Sequence, residues 1–372
     1  MNEIPITVLH VASGDLWAGA EVQLFTLANA LKKNTNTAVH IILLNHGRLE
    51  KELIDCGFEV SVFDESKYNG FQILQKLINV IKKVQPDVIH SHRSKENILG
   101  SIASLLSSRI PTMRTTHGAP EQKTSWLNIS KQLLLFLDWF TGLFLQKKII
   151  AVTDDLAGIL QKSFPVSKIK VIQNGIDIES IIASIETKAE NNSPFRIGIA
   201  GRLVAVKRVD IFLKSAKELM NTHPKLHISF HIFGDGPLLN DLIKLNIKLQ
   251  TTHIVNFEGH CDNMPQKLQQ LDAIVMTSDH EGLPMILLEA MALQVPVIAH
   301  AVGGIPSLLK QGKCGSLVKE HNSSGYSTAI AQVVQKSKYR KTIKTNALQH
   351  IKAHYSAEKN AEAYYTQYKK LL

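Results

Sequence analysis

Short apolar runs of strand length alternate with segments of helical periodicity along most of the chain, and this alternation limits the folds open to it. ITVLHVA (6–12) reads as a buried strand, and Leu24, Leu27, Ala28 and Leu31 after it keep the i, i+3, i+4 spacing of a helix face. AVHIILL, FEVSVF, DVIHSH, IPTMRTTH, KKIIAVT and KIKVIQN extend the strand series, with helical sequence between most of them. That order predicts a parallel, doubly wound α/β sheet. The polar segment TKAENNSPF (187–195) breaks the rhythm and reads as a linker. A second series follows: FRIGIAG, HISFHIFG, HIVNFEG, DAIVMTS, VPVIAH and GSLVK. Two such sheets joined once predict two Rossmann-like domains facing a cleft, with ligands at the carboxyl ends of the strands. The expected domains are residues 1–186 and 195–355. A final helix over 356–372 carries Ala361, Tyr364, Tyr365 and Tyr368 on one stripe, with Ser356 as its candidate N-cap. A length of 372 residues suits two domains of ~150 residues each.

The informative chemistry lies in the loops of the second series. In IGIAGRLVAVKRVDIFL (197–213) a strand ends at Ala200, Gly201 supplies a tight turn, and Arg202, Lys207 and Arg208 cluster before a helix. Cations and free backbone N–H groups at such a junction bind phosphate, although an isolated Lys-Arg pair is more often simply solvated. In IFGDGPLL (232–239), Gly234 and Gly236 read as turn glycines and Pro237 fits a first helical turn.

DAIVMTSDHEGLPMILLEAMAL reads as strand, loop and helix. Ser278 and Glu281 have capping-box spacing, but that assignment would bury Pro284 inside the helix, where proline is costly. With Pro284 as first helical residue, Glu281 lies in the preceding loop. The backbone from Gly282 through Leu283 and Pro284 to Met285 then forms a helix N-terminus suited to an anion. Glu289 is the only polar side chain from Met285 to Leu293 and stands about 7.5 Å along the helix from Pro284. A buried carboxylate there needs a hydrogen-bonding partner. Paired sugar hydroxyls would serve, as would a Lys or Arg from a neighbouring element.

Glu281 and Glu289, with Gly282-Leu283-Pro284 between them, resemble the E-x7-E signature of the retaining family-4 glycosyltransferases. IQNGID (172–177), GRLVAVKRVD, AVGGIPSLL (301–309) and the final AEKNAEAYYTQYKKLL resemble further segments of that family, in the same order over nearly the whole chain. The resemblance implies a GT-B fold whose last helix crosses back to the N-terminal domain. It also implies a nucleotide-diphosphate sugar donor, a UDP-sugar by expectation, with no cofactor and no metal in the site. Sugar would pass with retention to a glycan or lipid-linked acceptor held by the N-terminal domain, in cell-surface polysaccharide or lipopolysaccharide synthesis.

Carried over residue by residue, Arg202 and Lys207 would neutralise the donor diphosphate and Glu289 would hold the ribose hydroxyls. Glu281 would meet hydroxyls of the transferred sugar, and Gly282, Leu283, Pro284 and Met285 would add backbone contacts. His117, in RTTHGAP, matches the family's sugar-site histidine; a strand-end His bonded to backbone is its other reading. Glu281, His117, Arg202 and Lys207 make up the implied catalytic set. Where the family often has Gly-Gly, this chain has Ala18-Gly19-Ala20-Glu21, which leaves Gly19 for close backbone approach to the donor.

The formal charge of +10 (42 − 32) suits an anionic partner. Aromatics at 6% without a stacking motif argue against nucleic acid. A dehydrogenase would need G-x-G-x-x-G in the first loop, which offers only Gly14 and Gly19. A nucleotide-sugar epimerase of the same fold is the main alternative. Cys56, Cys261 and Cys314 are isolated, so neither a disulfide framework nor a structural zinc site is expected, and the chain reads as cytosolic.

KTSWLNISKQLLLFLDWFTGLFLQKK (123–148) is more apolar than a surface helix needs. Asp138 and Thr141 interrupt it, so it is too short to cross a bilayer. Most of its side chains are expected to be buried against the N-terminal sheet. Trp126, Trp139 and the flanking Lys123, Lys131, Lys147 and Lys148 remain for an anionic membrane surface, on the inner face of the cell membrane.

Overall fold

The structure, a computed structural model, describes residues 4–118, 129–183 and 194–372. The chain divides into two compact units, Met1–Ile176 with Ala357–Leu372, and Asp177–Ser356. The linker expected at 187–195 lies, up to residue 193, outside the described residues.

The first unit is built on a seven-stranded sheet of β1 (Ile6–Ala12), β2 (Thr37–Leu43), β3 (Glu59–Val62), β4 (Val88–Ser91), β5 (Thr112–Thr116), β6 (Lys148–Ala151) and β7 (Ile169–Val171). Its order is β3-β2-β1-β4-β5-β6-β7 and every pairing is parallel. The second unit has β8 (Phe195–Ala200), β9 (Ile228–Phe233), β10 (Val255–Gly259), β11 (Ala273–Met276), β12 (Val297–His300) and β13 (Ser316–Val318). Its order is β10-β9-β8-β11-β12-β13, again all parallel. Sheets covered on both faces account for the unbroken apolar runs: all four residues of β11 are buried. In each sheet the winding reverses once, between β1 and β4 and between β8 and β11, and such switch points open crevices at the strands' carboxyl ends.

The core of the first unit packs Val8, Leu27, Leu31, Val88, Met113 and Ile150 against Tyr364 and Tyr368 of the last helix, Ala357–Lys369. That helix thus supplies a face of the first unit's core. It is tied there by Ala357 N donating to Ile176 O at 2.9 Å and by Gln23 Nε2 donating to Asn360 Oδ1 at 3.0 Å. The second core centres on Ile197, Phe212, Phe230, Val275, Ile298 and Tyr326.

One expectation fails. The helix Ile129–Phe140 has no buried residue, so its side chains are not sunk against the sheet. The reason is steric: the helix Ser94–Leu106 already packs on β1, β4 and β5, and the apolar helix lies outside it. Leu134, Leu137 and Asp138 face inward and are half-buried. Asp138 accepts from Asn97 Nδ2 at 2.9 Å and from Arg114 Nη1 at 2.8 Å. Ile129, Leu133, Phe136, Trp139 and Phe140 remain exposed, and Phe144 just beyond is 62% exposed. Trp126 and Lys123 lie outside the described residues. Among the described residues no helix is long and apolar enough to cross a membrane.

Candidate active site

In the second unit the candidate residues converge on the switch between β8 and β11. Gly201 follows β8 at φ 147°, and a Cβ on Gly234 would sit 2.0 Å from its carbonyl oxygen. A Cβ on Gly236 would likewise meet Leu203 O at 2.6 Å, so both glycines of IFGDGPLL serve close packing of neighbouring loops. Lys207 ends a short 3-10 turn, Ala205–Lys207, and its Nζ donates to Glu281 Oε1 at 2.6 Å. Arg208 adopts a left-handed backbone, φ 49°, at the start of the helix Val209–Thr222, and its guanidinium is held by Asp210 (2.9 Å) and Asp279 (3.4 Å). It therefore braces the loop, whereas Arg202 is exposed and forms no ion pair among the described residues. Thr277 Oγ1 donates to Lys207 O at 2.7 Å and Asp279 N to Val206 O at 2.8 Å, which locks the loops after β8 and β11 together. Gly201, Leu203, Lys207, Thr277 and Ser278 line a small pocket there.

Pro284 is the N-cap of the helix Met285–Ala292, one residue ahead of the position expected for it, and Ser278 plays no part in the cap. The first internal bonds run from Leu287 and Leu288 to Pro284 O, so the N–H groups of Met285 and Ile286 precede any internal acceptor. Glu281 stays in the loop. A Cβ on Gly303, at φ 55°, would lie 1.9 Å from Glu281 O, and Gly304 N donates to Gly282 O at 3.2 Å. The AVGGIPSLL segment thus props the Glu281 loop through its glycines. His300 Nδ1 donates to Ser278 O at 2.9 Å and His321 Nε2 to Thr277 O at 2.7 Å, their rings stacked 3.7 Å apart, which stiffens the strand end. Glu289 has neither a hydrogen bond nor an ion pair among the described residues, so no Lys or Arg answers its charge there. Burial pushes its carboxyl up to about 7.

The first unit holds the other candidates. Gly19 opens the helix Gly19–Asn34 behind the N-cap Ala18 and is exposed. Glu21 in its first turn accepts from Ala18 N at 3.3 Å and pairs with Arg93, which also reaches Asp15 at 3.4 Å. His117 follows β5, and its Nε2 stands 3.3 Å from His92 Nδ1; the partner is a second imidazole and not the backbone. His92 Nε2 stands 3.1 Å from His10 Nδ1. His90 Nδ1 meets Tyr368 OH at 2.8 Å and its Nε2 meets Thr115 Oγ1 at 2.8 Å. Burial lowers His10 to about 3 and His117 to about 4, and lowers His90 and His92 well below the usual range, where neighbouring imidazoles add to the effect. All four rings are therefore neutral near pH 7. His10, His90 and His92 bring ring nitrogens within 4.8 Å of one another, a spacing open to a metal, but both nitrogens of His90 are already engaged by hydroxyls. Sequence reasoning passed over His10, His90 and His92. The available signal was His90-x-His92 at a strand's carboxyl end, two residues apart and so on one face.

Two family models match this chain in succession: "Glycosyltransferase Family 4" over residues 17–180 and "Glycosyl transferases group 1" over residues 181–350. The UDP-Gal:alpha-D-GlcNAc-diphosphoundecaprenol alpha-1,3-galactosyltransferase of Escherichia coli is 28% identical, over 70% of this chain and 69% of that protein. The N-acetyl-alpha-D-glucosaminyl L-malate synthase of Bacillus anthracis is 24% identical over 83% and 81%. Among solved structures, Anabaena HepE in complex with UDP-glucose superposes with a TM-score of 0.83 at 20% identity, covering 98% of this chain and all of that one. The lipopolysaccharide outer core galactosyltransferase WaaB in its apo form reaches 0.73 at 16% identity, over 98% and 100%. At those identities the structures speak for the fold alone.

Proposed function

Since this chain belongs to the group 1 glycosyltransferases of family 4, with their two-sheet GT-B fold, we propose that it transfers a sugar, with retention, from a nucleotide-diphosphate sugar to a glycan or lipid-linked acceptor. The observation that carries the reading is the Lys207–Glu281 contact at the switch point, beside a helix N-terminus and an unanswered Glu289.

Arg202 and Lys207 take the donor diphosphate, with the backbone of Gly282, Leu283, Pro284 and Met285 beside them. Negative charge grows on the phosphate oxygens as the sugar C1–O bond breaks, and fixed cations and helix N–H groups stabilise that state more than the bound substrate. The electron pair of the broken bond leaves with the diphosphate. The acceptor oxygen bonds C1 from the same face and its proton goes to the departing phosphate oxygen. The reading assigns the leaving group to these cations and N–H groups and proposes no metal there.

Glu281, freed from Lys207 as phosphate competes for the cation, turns to the sugar hydroxyls. Glu289 accepts from the ribose hydroxyls, the partners it lacks in the free chain. His117 belongs to the sugar site and Gly19 to the backbone near the donor. A UDP-sugar is the favoured donor, supported by the UDP-glucose held by HepE and the UDP-Gal in the name of the Escherichia coli relative. That second name, with its diphosphoundecaprenol acceptor, also supports a lipid-linked acceptor and a role in polysaccharide or lipopolysaccharide synthesis. An acceptor of that kind sits in a membrane. The exposed Phe136, Trp139 and Phe144, with Lys147 exposed beside them, form the surface proposed to rest on anionic lipid at the inner face of the cell membrane.

A thermal-shift panel of UDP-, GDP- and ADP-sugars identifies the donor, since ligand at a hundred times Kd adds about 2.7 kcal/mol to stability. The preferred donor is then incubated with and without lipid-linked acceptors, and the anomeric configuration of the product is read by NMR. An inverted linkage would remove retention. An epimerised donor in the absence of acceptor would replace the reading with an epimerase.

A further inference from the structure

Three imidazoles of the first unit form a line of which the proposed chemistry uses only the outer member. His10 lies in β1, His92 follows β4 and His117 follows β5, so the line crosses the switch of this sheet. His10 Nδ1 is 3.1 Å from His92 Nε2, and His92 Nδ1 is 3.3 Å from His117 Nε2. Both contacts join nitrogen to nitrogen, so in each one atom carries the proton and the other offers its lone pair. A neutral imidazole has a single N–H, and burial keeps all three rings neutral. The choice made at one contact therefore dictates the choice at the other.

Two arrangements satisfy both bonds. In the first, His10 donates to His92 and His92 to His117, which leaves a lone pair at His10 Nε2 and an N–H at His117 Nδ1. In the second the direction reverses, with an N–H at His10 Nε2 and a lone pair at His117 Nδ1.

The two ends of the line are not equivalent. His10 Nε2 is buried without a hydrogen-bond partner among the described residues. An orphaned buried N–H is rarer in folded proteins than an under-used acceptor, so the inner end takes the lone pair. The proton then falls at the outer end. His117 Nδ1 is also buried and unpartnered among the described residues, but its residue is half-exposed at the carboxyl end of β5, the side on which such sheets bind ligands. His90 stays outside the line, because Tyr368 and Thr115 occupy both its nitrogens.

We propose that His10 and His92 are positioning residues that hold His117 as its Nδ1–H tautomer, so that His117 donates a hydrogen bond to an oxygen of the bound sugar. The inference rests on the placing of His117 in the sugar site. Which nitrogen of an imidazole bears the proton is set by the bond that the other makes, and here that bond comes from His92.

The test is nitrogen-15 NMR of the full chain labelled at histidine, near neutral pH, with His117 assigned by His117→Gln. The expected spectrum shows His117 protonated at Nδ1 and bare at Nε2. His92→Phe keeps a ring of similar shape and removes both bonds. It should move His117 to an averaged mixture of tautomers and lower kcat/KM for the donor by about fivefold to tenfold, the loss of one hydrogen bond to the bound sugar. Should His92→Phe not fold, His10→Leu and His10→Asn form a second pair. The asparagine keeps a side-chain N–H for His92 and should preserve the wild-type pattern, while the leucine should lose it. His117 protonated at Nε2 in the wild type overturns the proposal, as does a His117 tautomer unmoved in folded His92→Phe or His10→Leu. A tautomer that moves while kcat/KM for the donor holds shows an intact line with no part in donor recognition; it overturns the sugar-site placing of His117 and the proposal with it.

Discussion

The helices Met285–Ala292 and Ile129–Phe140 are made of much the same apolar residues and lie at opposite extremes of burial. Met285, Leu287, Leu288, Ala290, Met291 and Ala292 are buried in the first, and no residue is buried in the second. The first packs directly against β12 and the helix Ser337–His354, whereas the second lies outside a helix that already covers its sheet. Apolar sequence says that water is unwelcome; it does not say which neighbour will exclude it. Each helix also carries something its fold has no use for. The buried one holds an unanswered carboxylate, Glu289, and the exposed one holds a patch of aromatic side chains. The proposed function gives each surplus a ligand: ribose for the carboxylate, lipid for the aromatics.

The comparison breaks if truncation costs the same in the two helices. Leu288→Ala removes a fully buried side chain and should lower unfolding free energy by about 2–5 kcal/mol in urea titrations, while Phe136→Ala should stay within roughly 0.5 kcal/mol of wild type. Next in size are the cations of the loop after β8. Arg202→Ala and Lys207→Ala should each reduce kcat by about 10²–10³ with a much smaller change in donor KM, as expected of groups facing charge that grows in the transition state. A wild-type kcat in either variant takes that residue out of the site.

Glu289→Ala sharpens the contrast by removing the surplus carboxylate. Nucleotide affinity should fall by about 1.5–3 kcal/mol in calorimetry, and an unchanged affinity in a folded variant ends the ribose assignment. Acidity supplies a second readout. Burial raises the Glu289 carboxyl from 4.5 to about 7, so between those values the folded chain holds a proton that the unfolded chain has released. The stability this group contributes is therefore present at low pH and is lost as pH rises from about 4.5 through 7. Glu289→Gln should abolish that slope. Binding of a UDP-sugar by the ionised carboxylate should run the other way, tightening as pH rises through about 7 in the wild type and staying flat in the glutamine variant.

The smallest expected effects belong to the exposed helix. Co-sedimentation with anionic vesicles should exceed that with neutral ones and weaken with salt. Lys147→Ala should cost about 1 kcal/mol of partitioning, and Phe136→Ser with Phe144→Ser should abolish binding without shifting the melting temperature. Equal, negligible sedimentation with both lipids at low and high salt rejects the membrane surface and favours a soluble acceptor.

Both sheets were legible in the sequence because strand and helix periods are local properties, read within a window of several residues. So was the start of the Met285–Ala292 helix to within one residue, since proline cannot sit inside it, and so was the need for glycine at Gly234 and Gly236. The candidate residues of the second unit's site were proposed from their spacing and from family resemblance. Their partners were not. Lys207 reaches Glu281 across 74 positions, His10 meets His92 across 82, and Gly303 lies under the Glu281 carbonyl for reasons found only where two loops touch. Arg208 looked like a third phosphate ligand until Asp210 and Asp279 took its guanidinium. Burial of the Ile129–Phe140 helix was misjudged on the same ground: whether an apolar face is covered depends on which element reached the sheet first in space, and chain order does not encode that. Periodicity, proline and glycine act through the few residues beside them, so the sequence alone determined the elements and their order; charge pairing, the contacts between imidazoles and exposure depend on groups far apart in the chain, and only the tertiary structure decided them.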